Sequence, residues 1–290
     1  LGKYPDAPPK PMVVGYEVAG TIDVFGDGVD GSCFGEAVVA ATQFGGYSDV
    51  VVVHQTQAVR RPDGLDAVTA ASIPVTGLTA WMMLHEMGRV RAGDRVLVHS
   101  AGGGVGLACL DLLKHVGATA VGTASGHKHE ALYARGYDEL VDYRSVDFYD
   151  ALKDGPGFDL VLDPVGGESW RKGLDLLRTG GRLVLFGFSA GSPSGTSGMW
   201  SQIRAGLQVP WLRFNPVRLM NDNAGVLGVN MGHMWDERER LAGWLRELLA
   251  LWEQGVLRPL VHATVPFDNA AEAHRILHAR ENVGKVILTP

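Results

Sequence analysis

The residues best suited to chemistry lie in a glycine-rich turn, Ala101-x-Gly103-x-x-Gly106. Apolar residues 96–98 precede it and are typical of a buried strand, while the apolar spacing that begins at Val105 is typical of a helix. A strand, a glycine turn and a helix N-terminus point unpaired backbone N–H groups at an anion, which favours a pyrophosphate. The turn therefore predicts a dinucleotide site, although a flexible linker between a strand and a helix looks similar. The residues assigned to it are Ala101, Gly103, Gly104, Val105 and Gly106.

The sequence after the next predicted strand, residues 119–124, indicates which dinucleotide is bound. A site for NAD carries Asp or Glu there, which binds the ribose 2′-OH. Here no acidic residue occurs before Glu130, and Ser125 and Lys128 take its place. A hydroxyl and an ammonium suit a 2′-phosphate through one hydrogen bond and a point charge, unless Lys128 is only a solvated residue of the next helix. The predicted cofactor is therefore NADPH.

Strands and helices alternate from residue 95 to residue 230, and this order defines the predicted fold class, α/β. The strands are nearly continuous in apolar residues, which is typical of a parallel sheet covered by helices on both faces. They are predicted at 95–101, 119–124, 139–143, 158–165, 182–188 and 225–230, with helices near 104–116, 127–135, 145–153 and 168–178. Six such strands predict a Rossmann, doubly wound parallel sheet with its ligand crevice at the carboxyl ends of the strands. Residues at those ends that can contact the nicotinamide are Val165, Gly166, Phe186, Gly187, Phe188 and Asn230.

The chain on either side of this region has a different character. Its first sixty residues are rich in β-branched residues without a helical period, and they include the strand-like sequence GGYSDVVVVH at 45–54. From Leu65 apolar residues recur at helical spacing, and Pro74 and Gly77 predict a break into two helices. The end of the chain returns to strand, helix and strand. The predicted layout is a Rossmann domain, 62–258, inserted into a β-rich domain made of 1–61 and 259–290.

Composition excludes several classes of protein. Of the 290 residues, 46% are hydrophobic and 20% are charged, which is typical of a soluble globular protein. A net charge of −6 argues against nucleic acid as a partner, because phosphate binding needs a basic face. The two cysteines, Cys33 and Cys109, form neither a disulfide framework nor a thiolate zinc site. We find no signal peptide and no apolar run of transmembrane length, so we expect a cytoplasmic location.

The connection 189–222 between the last two predicted strands is unusually long. It begins with a flexible sequence and becomes apolar and aromatic from Met199 to Phe214. Long connections are usually functional, so this one is interpreted as a helix packed on the fold or on a partner subunit, or as a lid over an apolar substrate. A contact with a membrane surface is a third interpretation, because Arg204, Arg213 and Arg218 accompany the aromatic residues.

Several motifs resemble those of the medium-chain dehydrogenase/reductase superfamily, in its zinc-free quinone oxidoreductase branch. They are GYEVAG (15–20), IPVTGLTAW (73–81), VLVHSAGGGVG (96–106), DPVGG (163–167), LFGF (185–188) and GKVIL (284–288). The sequence NDNAGVLGVNMGH (221–233) is similar to the vesicle-amine-transport-protein-like subgroup. The resemblance implies that the β-rich part is a GroES-like catalytic domain. It also implies a segment before Leu1, which agrees with the proline-rich start of the chain, and a homodimer paired through the sixth strand.

The resemblance also assigns roles to individual residues. Tyr4 matches a tyrosine of the substrate pocket, and Thr79 matches a threonine near the nicotinamide; both are candidate catalytic residues. A surface tyrosine and a helical hydroxyl bonded to its own backbone are the alternatives. Positions equivalent to Ser125, Lys128 and Tyr143 contact the 2′-phosphate in the family, and the position of Lys285 lies near the cofactor phosphates.

Zinc-dependent relatives have Gly-His-Glu where this chain has Gly15-Tyr16-Glu17, and their four closely spaced cysteines are absent. We therefore expect no metal and interpret Tyr16 as a packing residue. Without a Lewis acid, hydride transfer suits an acceptor that delocalises its own negative charge, such as a small apolar quinone or α,β-unsaturated ketone. The prediction is a zinc-independent, NADPH-dependent oxidoreductase. An enoyl-thioester reductase and a weakly active binding or membrane-associated protein are the alternatives.

Overall fold

The computed structural model describes residues 8–9, 11–187 and 215–290. Tyr4, Phe188 and most of the 189–222 connection lie outside the described residues, so the interpretations placed on them stay predictions. The chain divides into two compact units, Leu1–Thr79 with Met231–Pro290 and Ala80–Asn230. These limits follow spatial contacts, whereas the predicted domain limits after residues 61 and 258 follow sequence pattern and stay a prediction.

The secondary structure alternates much as the hydrophobic pattern predicts. The strands are β1 (Glu17–Thr21), β2 (Ala37–Ala41), β3 (Val59–Arg60), β4 (Arg95–His99), β5 (Thr119–Ala124), β6 (Glu139–Asp142), β7 (Phe158–Asp163), β8 (Leu177–Leu185), β9 (Gly225–Gly228), β10 (Val261–Pro266) and β11 (Lys285–Thr289). The helices are α1 (Ala67–Ala70), α2 (Pro74–Trp81), α3 (Gly104–Val116), α4 (His129–Arg135), α5 (Phe148–Leu152), α6 (Glu168–Asp175), α7 (Pro216–Asp222), α8 (Arg238–Glu253) and α9 (Ala270–Ala279), with a π-helical turn at Met82–Met87.

The second unit is built on one six-stranded sheet of order β6-β5-β4-β7-β8-β9, with every neighbouring pair parallel. Its central strands are buried on both faces, which explains their continuous apolar sequence. A fully buried cluster of side chains from successive strands joins them, including Leu97, Val121, Val161 and Leu183. The strand order reverses between β4 and β7, where ligands bind in open α/β sheets. The predicted Rossmann doubly wound fold is confirmed.

The first unit contains an antiparallel sheet of order β1-β2-β3 and a parallel pair, β10-β11. Helix α9 packs on the parallel pair, and α8 packs its apolar face on β3 and on residues 55–57. These small sheets fit the predicted GroES-like domain. The strand predicted at 45–54 is wrong: this sequence forms no strand in the described part of the chain, and Val52 is 95% exposed. A strand needs a neighbour for its backbone hydrogen bonds, and the sequence pattern does not show whether one is there.

The helical stretch from 67 to 87 departs from two expectations. It breaks before Pro74 as predicted, but Gly77 lies inside α2. A Cβ at Gly77 would lie 2.9 Å from Cδ1 of Leu248 of α8, so glycine serves close helix packing there and does not break the helix. Ala67–Met87 is also long and apolar enough to cross a membrane by length and composition, contrary to the sequence-based expectation. Most of it is buried, and a buried core helix passes the same test.

Candidate dinucleotide-binding site

The glycine turn lies between β4 and α3 in the second unit. Ser100 opens it with a φ of 58°, and α3 then begins at Gly104 with Gly103 as its N-cap. No side-chain hydrogen bond caps the first N–H groups of this helix. A Cβ at Gly106 would lie 2.6 Å from the carbonyl oxygen of Ala101 and 2.7 Å from that of Ser100. Only glycine lets α3 approach the turn this closely, which is the geometry of a phosphate-binding helix N-terminus.

The alanine at the first position of the motif has a structural partner in β5. A Cβ placed at Gly122 would lie 2.7 Å from the Cβ of Ala101. The Ala101 methyl group therefore fills space that exists only because residue 122 is glycine. The two residues are 21 positions apart in the chain, so the sequence motif alone does not show that the Ala101 methyl group occupies the space left by the missing side chain of Gly122.

A buried tyrosine that the sequence reasoning missed holds the turn from behind. The Tyr137 hydroxyl donates a hydrogen bond to the carbonyl oxygen of Gly106 at 2.9 Å. Its ring is almost fully buried, and burial raises the pKa of this phenol well above its usual range. Tyr137 follows the left-handed Gly136 that ends α4, and no local signal relates it to the turn. It is a neutral donor that fixes the helix start.

Substitution of Tyr137 with phenylalanine is expected to lower the free energy of unfolding by about 1–2 kcal/mol, because a buried hydrogen bond is lost. Urea unfolding followed by fluorescence measures this difference. Tyr133→Phe is the matched control, since Tyr133 lies on the preceding helix and is 49% exposed. The control should change stability by less than about 0.5 kcal/mol. Equal effects of the two substitutions would contradict the assigned role of Tyr137.

Of the three residues predicted to contact the 2′-phosphate, two contact each other and the third lies against the glycine turn. Ser125, at the end of β5, is buried, and its hydroxyl is 3.1 Å from the Tyr143 hydroxyl. Lys128 is only 8% exposed, so the alternative of a solvated helix residue does not hold. A Cβ at Gly102 would lie 3.1 Å from Cδ and 3.8 Å from Nζ of Lys128. The lysine side chain therefore lies against the glycine turn.

An acidic residue also lies on this side of the site, contributed by β6 and not by β5. The Asp142 carboxylate accepts hydrogen bonds from the Arg144 N–H at 3.0 Å and the Ser145 hydroxyl at 2.9 Å. These hydrogen bonds lower the pKa of Asp142, and a Cβ at Gly126 would lie 2.6 Å from its Oδ2. The sequence search for an acid after β5 missed it. Its carboxylate is engaged by these local donors.

The predicted nicotinamide contacts lie together at the ends of β7 and β8. The buried Asp163 carboxylate accepts hydrogen bonds from the N–H groups of Val165 at 2.6 Å and Gly166 at 3.2 Å. Its Oδ2 accepts from the Ser169 hydroxyl at 2.6 Å, and its carbonyl oxygen accepts from the Phe186 N–H at 3.2 Å. Gly187 follows, next to Pro164. Asp163 thus holds both turns, one through its carboxylate and the other through its backbone carbonyl oxygen. Asn230 follows β9 at the end of the same unit.

Two further predicted residues belong to the first unit. The Thr79 hydroxyl donates to the carbonyl oxygen of Val75 at 2.7 Å, as in the structural alternative. Lys285 forms an ion pair with Glu17, whose second oxygen accepts the Val75 N–H at 2.8 Å. Tyr16 stacks on Trp235, with ring centroids 6.1 Å apart, and also contacts Phe44. The predicted packing role of Tyr16 agrees with these contacts.

Among the described residues, no group of three or more His, Cys, Asp and Glu side chains could hold a metal ion. Within the part of the chain that the structure describes, His274-x-x-x-His278 on α9 has the spacing of two metal ligands, and its ring centroids are 6.3 Å apart. Two imidazoles without a third ligand do not make a catalytic zinc site.

Comparisons with known proteins identify the family. The family model described as zinc-binding dehydrogenase matches residues 135–288. The human synaptic vesicle membrane protein VAT-1 homolog is 34% identical over 294 residues, which cover all of this chain and 74% of that protein. A quinone oxidoreductase from Pseudomonas syringae is 28% identical, with a TM-score of 0.82 over 99% of this chain and 84% of that one. The chain belongs to the medium-chain dehydrogenase/reductase superfamily, in its quinone-oxidoreductase-like branch.

Two other solved structures of the superfamily bear on the site. A mycobacterial protein complexed with NADPH is 28% identical, with a TM-score of 0.83 over all of this chain and 85% of that one. The CurK enoyl reductase is 28% identical, with a TM-score of 0.78 over 96% of this chain and 79% of that one. Membership of this superfamily makes the chain an oxidoreductase of the nicotinamide-dependent type.

Proposed function

We propose that this protein is a cytoplasmic, zinc-independent oxidoreductase that uses NADPH to reduce a quinone or an α,β-unsaturated carbonyl. The observation that carries the cofactor preference is the position of Lys128, buried against the glycine turn beside the Ser125–Tyr143 pair. The residues fit a phosphorylated dinucleotide, because the turn can take the pyrophosphate and the lysine can take a further phosphate. The NADPH complex of the mycobacterial relative supports the same preference.

In this proposal the residues of the second unit bind and orient the cofactor. The N–H groups at the start of α3 would hold the pyrophosphate, and the turns held by Asp163, with Val165, Gly166 and Phe186, would hold the nicotinamide half. When bound, NADPH supplies the hydride. Tyr16 stands where zinc-dependent relatives have histidine, so charge on the acceptor oxygen must be stabilised by delocalisation and hydrogen bonds. Quinones and enones meet this requirement.

The test is NADPH oxidation followed at 340 nm with three acceptors: 1,2-naphthoquinone, a simple enone and a crotonyl thioester. We expect turnover with the quinone or the enone, unchanged by prior treatment with a zinc chelator. Activity with the thioester alone would support the second candidate, an enoyl-thioester reductase, which the similarity to CurK favours. NADPH binding without turnover of any acceptor, together with flotation on liposomes, would support a membrane-associated role like that named for the VAT-1 homologues.

We also propose that the protein is a homodimer paired through β9. This strand and β6 are the two edges of the described six-stranded sheet, and an unprotected edge invites association. Light scattering should give twice the 31.0-kDa chain mass at micromolar concentration. A monomer at that concentration would contradict the proposed pairing.

A further inference from the structure

A buried histidine and a buried aspartate face each other beneath the candidate site. His99 is the last residue of β4 and Asp163 the last residue of β7, and they are 2% and 0% exposed. The distance from Nε2 of His99 to Oδ2 of Asp163 is 4.0 Å, which is too long for a hydrogen bond. Within the described part of the chain, Nε2 has no hydrogen-bond partner. A buried polar nitrogen in this state requires an explanation.

The other contacts of His99 fix its orientation. Nδ1 is 3.0 Å from the Thr123 hydroxyl of β5, and the ring meets the Phe148 ring of α5 edge-on with centroids 4.5 Å apart. Lys172 lies over Phe148 and pairs with Asp147, so these two charges satisfy each other. Among the described groups, Asp163 is the charge that acts on the histidine.

The environment also sets the protonation of His99. Burial lowers the pKa of the imidazole, and the opposing effect of the Asp163 charge is smaller. The ring is therefore neutral near pH 7 and carries one proton. The adjacent carboxylate favours that proton on Nε2, which leaves Nδ1 to accept a hydrogen bond from the Thr123 hydroxyl. In this tautomer Nδ1 accepts from Thr123 and the Nε2–H group faces the Asp163 carboxylate.

We propose that His99 is a positioning residue for the nicotinamide half of the site: its Nε2–H faces the Asp163 carboxylate and restrains the turn that this carboxylate caps. Three donors already bind Asp163, from Val165, Gly166 and Ser169. The histidine supplies a fourth, from the neighbouring strand β4, when cofactor binding shortens the 4.0 Å distance between Nε2 and Oδ2. This inference rests on the proposed cofactor but adds a residue outside the glycine motif and the phosphate site.

The experiment compares two substitutions whose side-chain amides each replace one nitrogen of the imidazole ring. The amide of His99→Gln reaches toward the position of Nε2, whereas that of His99→Asn reaches toward Nδ1. We expect His99→Asn to weaken NADPH binding by about tenfold, as for a lost hydrogen bond to a charged group. His99→Gln should restore most of the affinity. The probe 2′,5′-ADP lacks the nicotinamide half and should bind the wild type and both variants equally.

Fluorescence titration gives the dissociation constants, and circular dichroism checks that both variants are folded. A second readout uses the wild-type protein alone. Long-range ¹H–¹⁵N correlation at pH 7 should show His99 as the neutral Nε2–H tautomer. Equal NADPH affinity of the wild type and His99→Asn, or an Nδ1–H tautomer, would overturn this inference alone. A wild-type protein that binds neither NADPH nor 2′,5′-ADP would overturn the proposed cofactor as well.

Discussion

The Gly106→Ala variant is expected to lose measurable NADPH binding and about 3 kcal/mol of its free energy of unfolding. The added Cβ would meet the carbonyl oxygens of Ala101 and Ser100 at 2.6 and 2.7 Å. Both are backbone atoms, so the clash is relieved only if α3 moves away from the turn. That movement displaces the N–H groups proposed to hold the pyrophosphate. Urea unfolding and fluorescence titration with NADPH measure the two losses.

Gly243→Ala is the matched control, because Gly243 is also helical and a Cβ there would meet nothing within 4 Å. Alanine is the better helix former, so this variant should keep its NADPH affinity and gain up to about 1 kcal/mol in stability. If Gly106→Ala binds NADPH as tightly as Gly243→Ala does, the glycine turn is not the pyrophosphate site.

The second large effect is expected at Lys128. The wild type should bind NADPH at least about tenfold more tightly than NADH, which corresponds to about 1.4 kcal/mol. Lys128→Ala should remove this difference by weakening NADPH binding and leaving NADH binding unchanged. The reason is that only the 2′-phosphate distinguishes the two cofactors, and the buried ammonium lies beside Gly102 where it can pair with that group. Titration of both cofactors at constant ionic strength measures it.

Lys153→Ala controls for the loss of one positive charge. Lys153 lies next to α5 and pairs with Asp150 on the surface, at an Nζ–Oδ1 distance of 2.8 Å. Its removal should leave both dissociation constants unchanged, because an exposed pair contributes little. A wild-type protein with equal affinities for NADPH and NADH would refute the assignment of Ser125 and Lys128.

Much of the second unit could be predicted because its signals are local. The bounds of α3 and β5 coincide with the predicted ones, since Gly117 ends α3 and an apolar run marks the buried strand β5. The parallel, doubly wound sheet was also predicted, because nearly continuous apolar strands that alternate with helices are typical of it. Gly77 shows the limit of such reasoning: the residue type predicts a helix break, but here it accommodates Leu248 from a distant helix.

The amino-acid sequence by itself determined the fold class, the glycine turn, the absence of an acid after β5 and the family, because each is written in neighbouring residues. Only the tertiary structure decided what surrounds the turn. Tyr137 donates to Gly106, Gly122 makes room for Ala101, and Asp163 meets His99. These partners come from different strands and helices, and their contacts exist only after the sheet has assembled. The glycine motif predicts where a dinucleotide binds, and the packed sheet sets the positions of the residues proposed to hold it.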